Sequence, residues 1–541
     1  MRHTCVQHRC MRPSHCVATL VVASCLAALT LSSGHAHSTA TYSNPVLPGD
    51  YPDPSVIRVG QTFWATATTS QWAPLFPLLK STDLVNWTRA GAVFQDPPAW
   101  SAGSYWAPEI AQDRGRFFVY YTARRKNGPL CVAVATARQP QGPYADRGPI
   151  VCQDAGSIDA ALVVDEEAQR YLVWKEDGNS RKMPTPIWAQ PLSADGTALT
   201  GSRRELIRNT APWEAHLVEG PYILRRDGWF YMFYSSDACC GRECNYKLGV
   251  ARARRLLGPW ERNPANPILK GNQHWKCPGH GSLVSDADGR TFLLYHAYDP
   301  EDFQFAGRQG LLDEVTWTPR GWPEINGGQG PSARAASPFG ATERAKPGTF
   351  ADEFEGSTPD PAWQWPWEHK PGLAVTGGVL VLRAADARAH NPAGTVVAHQ
   401  TVAGDYTATT RVLTGGLAPA VMPGLAAYGN QDNAIGLSLN AGRAVLWRRK
   451  AGKQETITSV TTTFGDAVLL RMTASGGSRF RFAVAADTPT NPEWRPIGQE
   501  AEGGYLPPWD LGVRVALTIA GPVGSEARFD WVRIESASPR E

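Results

Sequence analysis

The sequence predicts an all-β protein in which a five-bladed β-propeller is followed by a β-sandwich of the jelly-roll type. Three observations support this prediction: a composition rich in aromatic and turn-forming residues, a five-fold repeat of strand pairs over residues 41–326, and a run of short alternating strands over 350–537. A chain of 541 residues is too long to form a single hydrophobic core, since domains average about 150 residues. Residues 327–349, rich in Gly, Ala, Pro and Ser, are interpreted as a linker.

The composition limits the class of protein. The chain has 20 Trp, 16 Tyr and 17 Phe beside 52 Gly and 43 Pro, which indicates a turn-rich β-protein with many flat apolar faces, and sugars bind to such faces. Its 53 basic and 50 acidic residues are nearly balanced and form no basic stripe, which argues against a nucleic-acid partner. We therefore expect a carbohydrate partner, and we expect a monomer.

The sequence pattern of residues 1–36 predicts a secretory signal peptide. Arginines near the start precede an apolar run from about Val17 to Leu31, and small residues follow. The run is too short for a good membrane span, so we expect a secreted or periplasmic protein without one. A lipid anchor at Cys25 is the less favoured alternative, because the sequence stays apolar beyond that cysteine.

Six of the ten cysteines follow this segment, and an even number in an exported chain predicts disulfides. A bond between Cys131 and Cys152 would close a loop of about 20 residues, which the chain-entropy model values at about 3 kcal/mol. The "CCGREC" cluster, with Cys239, Cys240 and Cys244, offers a metal site as an alternative. That alternative is less favoured because no second ligand pair has a suitable spacing.

The repeat in residues 41–326 consists of a polar anchor, a short apolar run, a turn and an aromatic-rich strand. The anchors recur every 50 to 61 residues and are Asp53, Glu109, Asp159, Glu219 and His280. A second strand pair lies between successive copies, so each unit has the four strands of a propeller blade. The innermost strands line the channel, so the anchors are expected to form a ring. Gathering like charges costs stability, which indicates a functional site.

Two carboxylates that face each other across a pocket are the working groups of glycoside hydrolysis. One protonates the leaving oxygen and the other activates water or attacks carbon, while a third tunes them. A lectin-like propeller that only binds sugar is the alternative, since acidic and aromatic side chains also serve binding. Composition alone does not separate the two.

Five motifs in blade order resemble glycoside hydrolase family 43: "PDPS" at Asp53, "YWAPEI" before Glu109, "SIDA" at Asp159, "VEGPYI" at Glu219 and "GHGS" at His280. The resemblance implies that Asp53 is the general base and Glu219 the general acid. It implies that Asp159 orients the sugar and raises the pKa of the acid. It also implies inversion of the anomeric centre, which requires room for a water.

The resemblance extends to supporting residues. His280 matches a histidine that in many members lies beside a metal, often calcium, held largely through water, so a structural calcium on the propeller axis is implied, while the chemistry needs no cofactor. Arg308 resembles an arginine that reaches the sugar from the last blade. Glu109 supports the site without transferring a proton.

Several tryptophans are candidates for sugar contacts. Three are expected to form the pocket wall, with packing between blades as the alternative: Trp72, Trp106 and Trp213. The two ends of the C-terminal part resemble the concanavalin-like sandwich of many family members. Three tryptophans near its start are expected either to face a glycan or, as the favoured alternative, to attach the sandwich to the propeller: Trp363, Trp365 and Trp367.

Substrate specificity is the least determined property, because loop shape decides it. The resemblance favours an exo-acting α-L-arabinofuranosidase, with β-xylosidase activity as a second expectation, on arabinan, arabinoxylan or derived oligosaccharides. A dedicated β-xylosidase and a galactan-specific hydrolase are the alternatives.

Overall fold

The computed structural model describes residues 40–286, 289–343, 348–385, 391, 393–462, 465–488 and 492–536. The predicted signal peptide and the alternative anchor at Cys25 lie outside these residues. The described chain consists almost entirely of antiparallel β-sheets, so the predicted fold class is confirmed. Within these ranges, the structure contains no helix with the length and apolarity that a membrane span requires.

Five four-stranded sheets succeed one another and form the blades of the propeller. The first strands of neighbouring blades contact each other in a ring, which closes where blade 5 meets blade 1. In chain order, the strands are Ser55–Val59, Thr62–Thr66, Leu75–Ser81 and Thr88–Phe94 in blade 1; Trp106–Asp113, Arg116–Arg124, Leu130–Ala137 and Ala145–Val151 in blade 2; Ser157–Val164, Arg170–Glu176, Ile187–Pro191 and Arg204–Ile207 in blade 3; Val218–Arg226, Trp229–Ser236, Lys247–Ala253 and Glu261–Arg262 in blade 4; and Lys276–Ser285, Thr291–Tyr298, Gln309–Trp317 and Pro323–Ile325 in blade 5.

A short two-stranded sheet joins the two ends of the propeller region. Thr41–Ser43 pairs with Arg334–Ala336, which lies inside the segment interpreted as a linker. That segment therefore contains a strand, which its Gly- and Pro-rich composition did not indicate. The described helices are short: α-helix Phe303–Ala306 and the 3₁₀ turns Gly178–Arg181, Pro212–Glu214, Asn326–Gly328 and Pro338–Gly340.

The C-terminal region is a sandwich of two antiparallel sheets around a continuous apolar core. Trp363, only 2% exposed, belongs to this core. One sheet consists of Thr349–Asp352, Gly372–Thr376, Val379–Arg383, Tyr406–Leu413, Ala467–Ser475, Arg479–Ala486, Arg495–Pro496, Ala501–Glu502 and Glu526–Ser536. The other consists of Thr395–Gln400, Met422–Asn430, Asn433–Asn440, Arg443–Lys450, Lys453–Thr461 and Arg514–Ala520.

The two tryptophans that follow Trp363 attach the sandwich to the propeller. Trp365–Pro366 pairs with Trp72–Ala73, a two-residue strand inside blade 1. The Trp367 indole donates to Oε1 of Gln71 at 2.8 Å. Attachment, the favoured alternative, therefore describes Trp365 and Trp367, while Trp363 packs within the sandwich.

Three disulfides lie in the described part of the propeller: Cys131–Cys152, Cys239–Cys240 and Cys244–Cys277. The first is the predicted pair. All three cysteines of the "CCGREC" cluster are in disulfides, so none is left as a thiolate to bind a metal.

Candidate active site

The inner strands bring the predicted anchors together by a repeated backbone device. Bulges interrupt the pairing of the first strand beside the anchors in blades 2 to 5, and a bulge re-aims the side chain it carries. Asp53, Asp159 and His280 also have positive φ angles of 50°, 57° and 39°, which are uncommon for non-glycine residues. Together with Glu219, these three residues line one pocket with a volume of about 270 Å³.

Asp53 is held by cationic and hydroxyl groups. Arg308 Nη1 donates to its Oδ1 at 3.0 Å, and Thr68 Oγ1 donates to its Oδ2 at 2.7 Å. The backbone N–H of Asp53 donates to His296 Nδ1 at 3.0 Å, and His280 Nδ1 lies 3.4 Å from Asp53 Oδ1. Burial raises the pKa of Asp53, but Arg308 and His280 outweigh burial and hold this pKa well below its usual range. Asp53 is therefore an ionised carboxylate.

Glu219 has a cationic partner that the repeat pattern does not distinguish. Lys175 Nζ donates to its Oε2 at 2.7 Å, and the Tyr246 hydroxyl donates to its Oε1 at 2.8 Å. Lys175 is fully buried and also donates to Asp177 at 3.0 Å. Burial raises the pKa of Glu219, but Lys175 and the Tyr246 hydrogen bond outweigh it, so the pKa lies below its ordinary value. The sequence signal for Lys175 is slight: a lysine near the end of the apolar strand "YLVWK".

Asp159, unlike Asp53 and Glu219, has a raised pKa. Burial raises its pKa to about 6, with the charge of Glu219 acting in the same direction and His280 opposing it. The Gly220 N–H donates to Asp159 Oδ2 at 3.0 Å. The prediction that Asp159 raises the pKa of Glu219 stays a prediction, although in the free protein Lys175 has the larger effect on Glu219 and lowers this pKa. In the free protein, a proton therefore binds to Asp159 more readily than to Glu219.

The pocket wall combines residues of both domains. Trp106 lines the pocket as predicted, and its indole donates to Ser70 Oγ at 3.0 Å. Ser70 in turn donates to Asp510 of the sandwich at 2.7 Å. Trp509, which is 59% exposed, contacts Trp106 edge to face with ring centroids 6.1 Å apart. A sandwich loop thus completes the wall, which the propeller repeat alone does not predict.

Arg308 lines the pocket from blade 5, as the resemblance implies. Its Nη1 donates to Asp53, and its Nη2 donates to the backbone oxygen of Asp510 at 3.4 Å. One guanidinium group therefore links the candidate base to the sandwich loop.

The other two predicted wall tryptophans lie elsewhere. Trp72 is 2% exposed at the junction of the domains, where the Arg514 guanidinium covers its ring at 4.4 Å. Trp213 packs against Tyr234, with ring centroids 5.5 Å apart, and against Gly249. Neither lines the pocket, so the wall prediction is wrong for both, because a tryptophan near a site and one in a packed junction look alike in sequence.

Below the pocket, the axis of the propeller holds a small cavity of about 10 Å³ that is lined by Glu109 and His280 among others. Burial raises the pKa of Glu109 to about 7, so this carboxyl is partly protonated at neutral pH. The cavity has room for about one water, which does not fit a hydrated calcium ion. Among the described residues, no group of three His, Cys, Asp or Glu side chains is arranged to hold a metal. The calcium site stays a prediction that elemental analysis of purified protein checks.

Comparisons with known proteins agree with this fold. A model of glycosyl hydrolases family 43 matches residues 42–323, and a model of the β-xylosidase C-terminal concanavalin A-like domain matches residues 351–535. The GH43 protein BlXynB from Bacillus licheniformis has a similar fold, with a TM-score of 0.79, 24% identity and coverage of 92% of this chain and 100% of that chain.

Two relatives match slightly more than half of the chain. Xylosidase/arabinosidase 43B of Humicola insolens is 30% identical over 314 residues, which cover 53% of this chain and 56% of that protein. The extracellular exo-α-(1→5)-L-arabinofuranosidase ArbA of Cellvibrio japonicus is 25% identical over 311 residues, which cover 51% of this chain and 86% of that protein. The chain spans somewhat more than half the length of the first curated relatives it matches. Since the family model covers more than half of its residues, the chain belongs to glycosyl hydrolases family 43.

Proposed function

We propose that this protein is a secreted, inverting exo-glycosidase that releases terminal α-L-arabinofuranosyl units, and also acts on β-xylosides, in arabinan, arabinoxylan or their oligosaccharides. The observation that carries the proposal is one pocket with carboxyl groups in unequal states. Asp53 is ionised beside Arg308, whereas burial and the charge of Glu219 raise the pKa of Asp159 to about 6. Such a separation of pKa values assigns an acid and a base to one site.

In the proposed reaction, Glu219 gives a proton to the glycosidic oxygen as the bond from that oxygen to the anomeric carbon breaks. Asp53 accepts a proton from a water whose oxygen attacks the same carbon from the opposite face. The products are a free sugar of inverted configuration and an alcohol. Asp159 holds the sugar, and Lys175 keeps Glu219 oriented before substrate binds. After the products leave, Asp53 releases its proton to solvent and Glu219 takes one up.

The substrate class rests on two supports. The pocket is bounded by Trp106 and Trp509, whose aromatic faces suit sugar rings. Two relatives are named xylosidase/arabinosidase and arabinofuranosidase, which supports arabinosides and xylosides as the candidate substrates. Export is part of the proposal because three disulfides suit an oxidising compartment. N-terminal sequencing of the exported protein checks the predicted cleavage after Ala36.

The experiment that tests the function is hydrolysis by the purified protein of nitrophenyl α-L-arabinofuranoside, β-D-xyloside and β-D-galactoside, followed by arabinan, arabinoxylan and galactan. We expect release of a monosaccharide from the first two glycosides, with the inverted anomer appearing first by NMR. A retained first product would contradict the mechanism. Binding of oligosaccharides without any hydrolysis would favour the lectin-like alternative.

The pH dependence follows from the pKa values of Asp159 and Glu219. The acid must be protonated, and both carboxyl groups are ionised above about pH 6, the pKa of Asp159, so kcat/KM on a disaccharide is expected to fall about tenfold per pH unit above that value. The dinitrophenolate of a dinitrophenyl glycoside departs without protonation, so the pH profile of kcat/KM on that substrate should stay flat over the same range. Parallel pH profiles on the two substrates check this prediction, and an identical decline on both would assign the titration to another group.

A further inference from the structure

A loop of blade 4 brings two adjacent half-buried cysteines to the pocket. Cys239 and Cys240 are bonded to each other, with Cα atoms 3.7 Å apart, and both line the pocket that contains Asp53 and Glu219. The bond closes an eight-membered ring that includes the peptide unit between them, here called the disulfide ring. A ring of this kind is a short, uncharged wall with little conformational freedom.

The loop that carries the disulfide ring is fixed at both ends. At its base, Cys244 is bonded to Cys277 of blade 5, and the Asn245 N–H donates to the Ala238 carbonyl at 2.9 Å. At its outer end, Arg242 donates to the Gly504 carbonyl of the sandwich at 2.6 Å. The position of the disulfide ring is therefore set by both domains.

The disulfide ring lies beside the sandwich loop that completes the pocket. A Cβ atom added at Gly241, the residue after the ring, would lie 3.5 Å from the Trp509 carbonyl oxygen. The ring and Trp509 are thus adjacent walls of one pocket, and both are uncharged. Such surfaces contact the C–H faces of a sugar.

The disulfide ring also lies on the side of the pocket occupied by Glu219. Cys239 packs against the buried cluster of Tyr246, Cys277 and Tyr298. Tyr246 donates to Glu219 at 2.8 Å, so the same cluster supports the ring and the candidate acid. The acid protonates the departing oxygen, and the leaving group therefore lies next to the acid.

We propose that the disulfide ring and Trp509 form the binding site for the leaving group, an uncharged glycosyl unit on the far side of the scissile bond. This inference rests on the proposed function, because it uses Glu219 as the acid. The site binds a sugar that is released as the alcohol product, and it makes the enzyme prefer oligosaccharides over glycosides with small leaving groups.

The test compares two substrates of the same terminal sugar. One is the disaccharide that the wild-type protein hydrolyses, α-1,5-arabinobiose or β-1,4-xylobiose, and the other is the matching glycosyl fluoride, whose leaving group is too small to reach the disulfide ring. The variant Cys239→Ser/Cys240→Ser is expected to lower the ratio of kcat/KM for disaccharide over fluoride by about tenfold or more, the scale of losing apolar contacts in a pocket. Trp509→Ala, at an exposed position, is expected to lower the same ratio, and this variant tests the proposal if the double variant does not fold.

The matched control is Cys131→Ser/Cys152→Ser, which removes a disulfide outside this pocket and should keep the ratio within twofold. A ratio unchanged in both the double variant and Trp509→Ala would overturn the binding site, as would equal losses on disaccharide and fluoride. Failure of the proposed function is a separate outcome, because the wild-type protein would then hydrolyse neither substrate.

Discussion

Replacing Glu219 with alanine is expected to reduce kcat on a natural disaccharide at least a hundredfold, yet to leave most of the activity on a dinitrophenyl glycoside. The leaving sugar of the disaccharide is a poor leaving group as an alkoxide and needs the proton of the acid, whereas dinitrophenolate departs unaided. The magnitude is that of losing a positioned proton donor, roughly 10²–10⁴-fold. Steady-state kinetics on the two substrates measure the difference.

Asp53→Ala is the matched comparison, because it removes a carboxylate from the same pocket. This variant should lose roughly 10²–10⁴-fold on both substrates, since the attacking water needs its base whichever group departs. Circular dichroism shows whether both variants are folded. Equal losses on both substrates in both variants would contradict the assignment of acid and base.

The fold and the ring of anchors are predictable from sequence because the same sequence pattern recurs in every blade. A polar anchor followed by an apolar strand recurs five times, and propeller geometry places equivalent positions on one axis. Asp53, Asp159, Glu219 and His280 meet in the pocket for that reason. The positive φ angles of Asp53, Asp159 and His280, and the bulges in blades 2 to 5, leave no mark in composition.

The remaining parts of the site have no equivalent in the repeat. Lys175 occupies a strand end in blade 3, and its importance depends on its distance to Glu219 across a blade boundary. Trp509 comes from the second domain, about 290 residues further along the chain than Glu219. Contacts of this kind depend on how the domains pack, and local sequence patterns carry no information about that.

The misplaced tryptophans show the same limit. Trp72 follows "TTSQ" near the end of a blade 1 strand, beside the residues that approach the pocket, yet its ring packs under Arg514 at the domain junction. Only Trp106 lines the pocket, whereas the sandwich covers Trp72.

Replacing Arg308 with methionine is expected to lower kcat/KM at pH 5 about a hundredfold and to create a new acidic limb in the pH profile. Arg308 is the cation nearest to Asp53, at 3.0 Å, and it opposes the effect of burial on the pKa of that carboxyl. Without it, burial raises this pKa. Because a base acts only when ionised, activity should be present above the new pKa and lost as the pH falls through it.

Arg514→Met is the control for this variant, because Arg514 is also buried and pairs with a carboxylate, Asp50, at 3.3 Å, but has no contact with Asp53. Removing one partner of a buried ion pair costs about 3–5 kcal/mol, so both variants should unfold at lower denaturant concentration. Only Arg308→Met should gain the acidic limb, since only that change leaves the buried Asp53 carboxylate without its nearest cation. A profile of Arg308→Met that stays flat down to pH 4, or a limb of equal size in Arg514→Met, would show that the ionisation of Asp53 does not depend on Arg308.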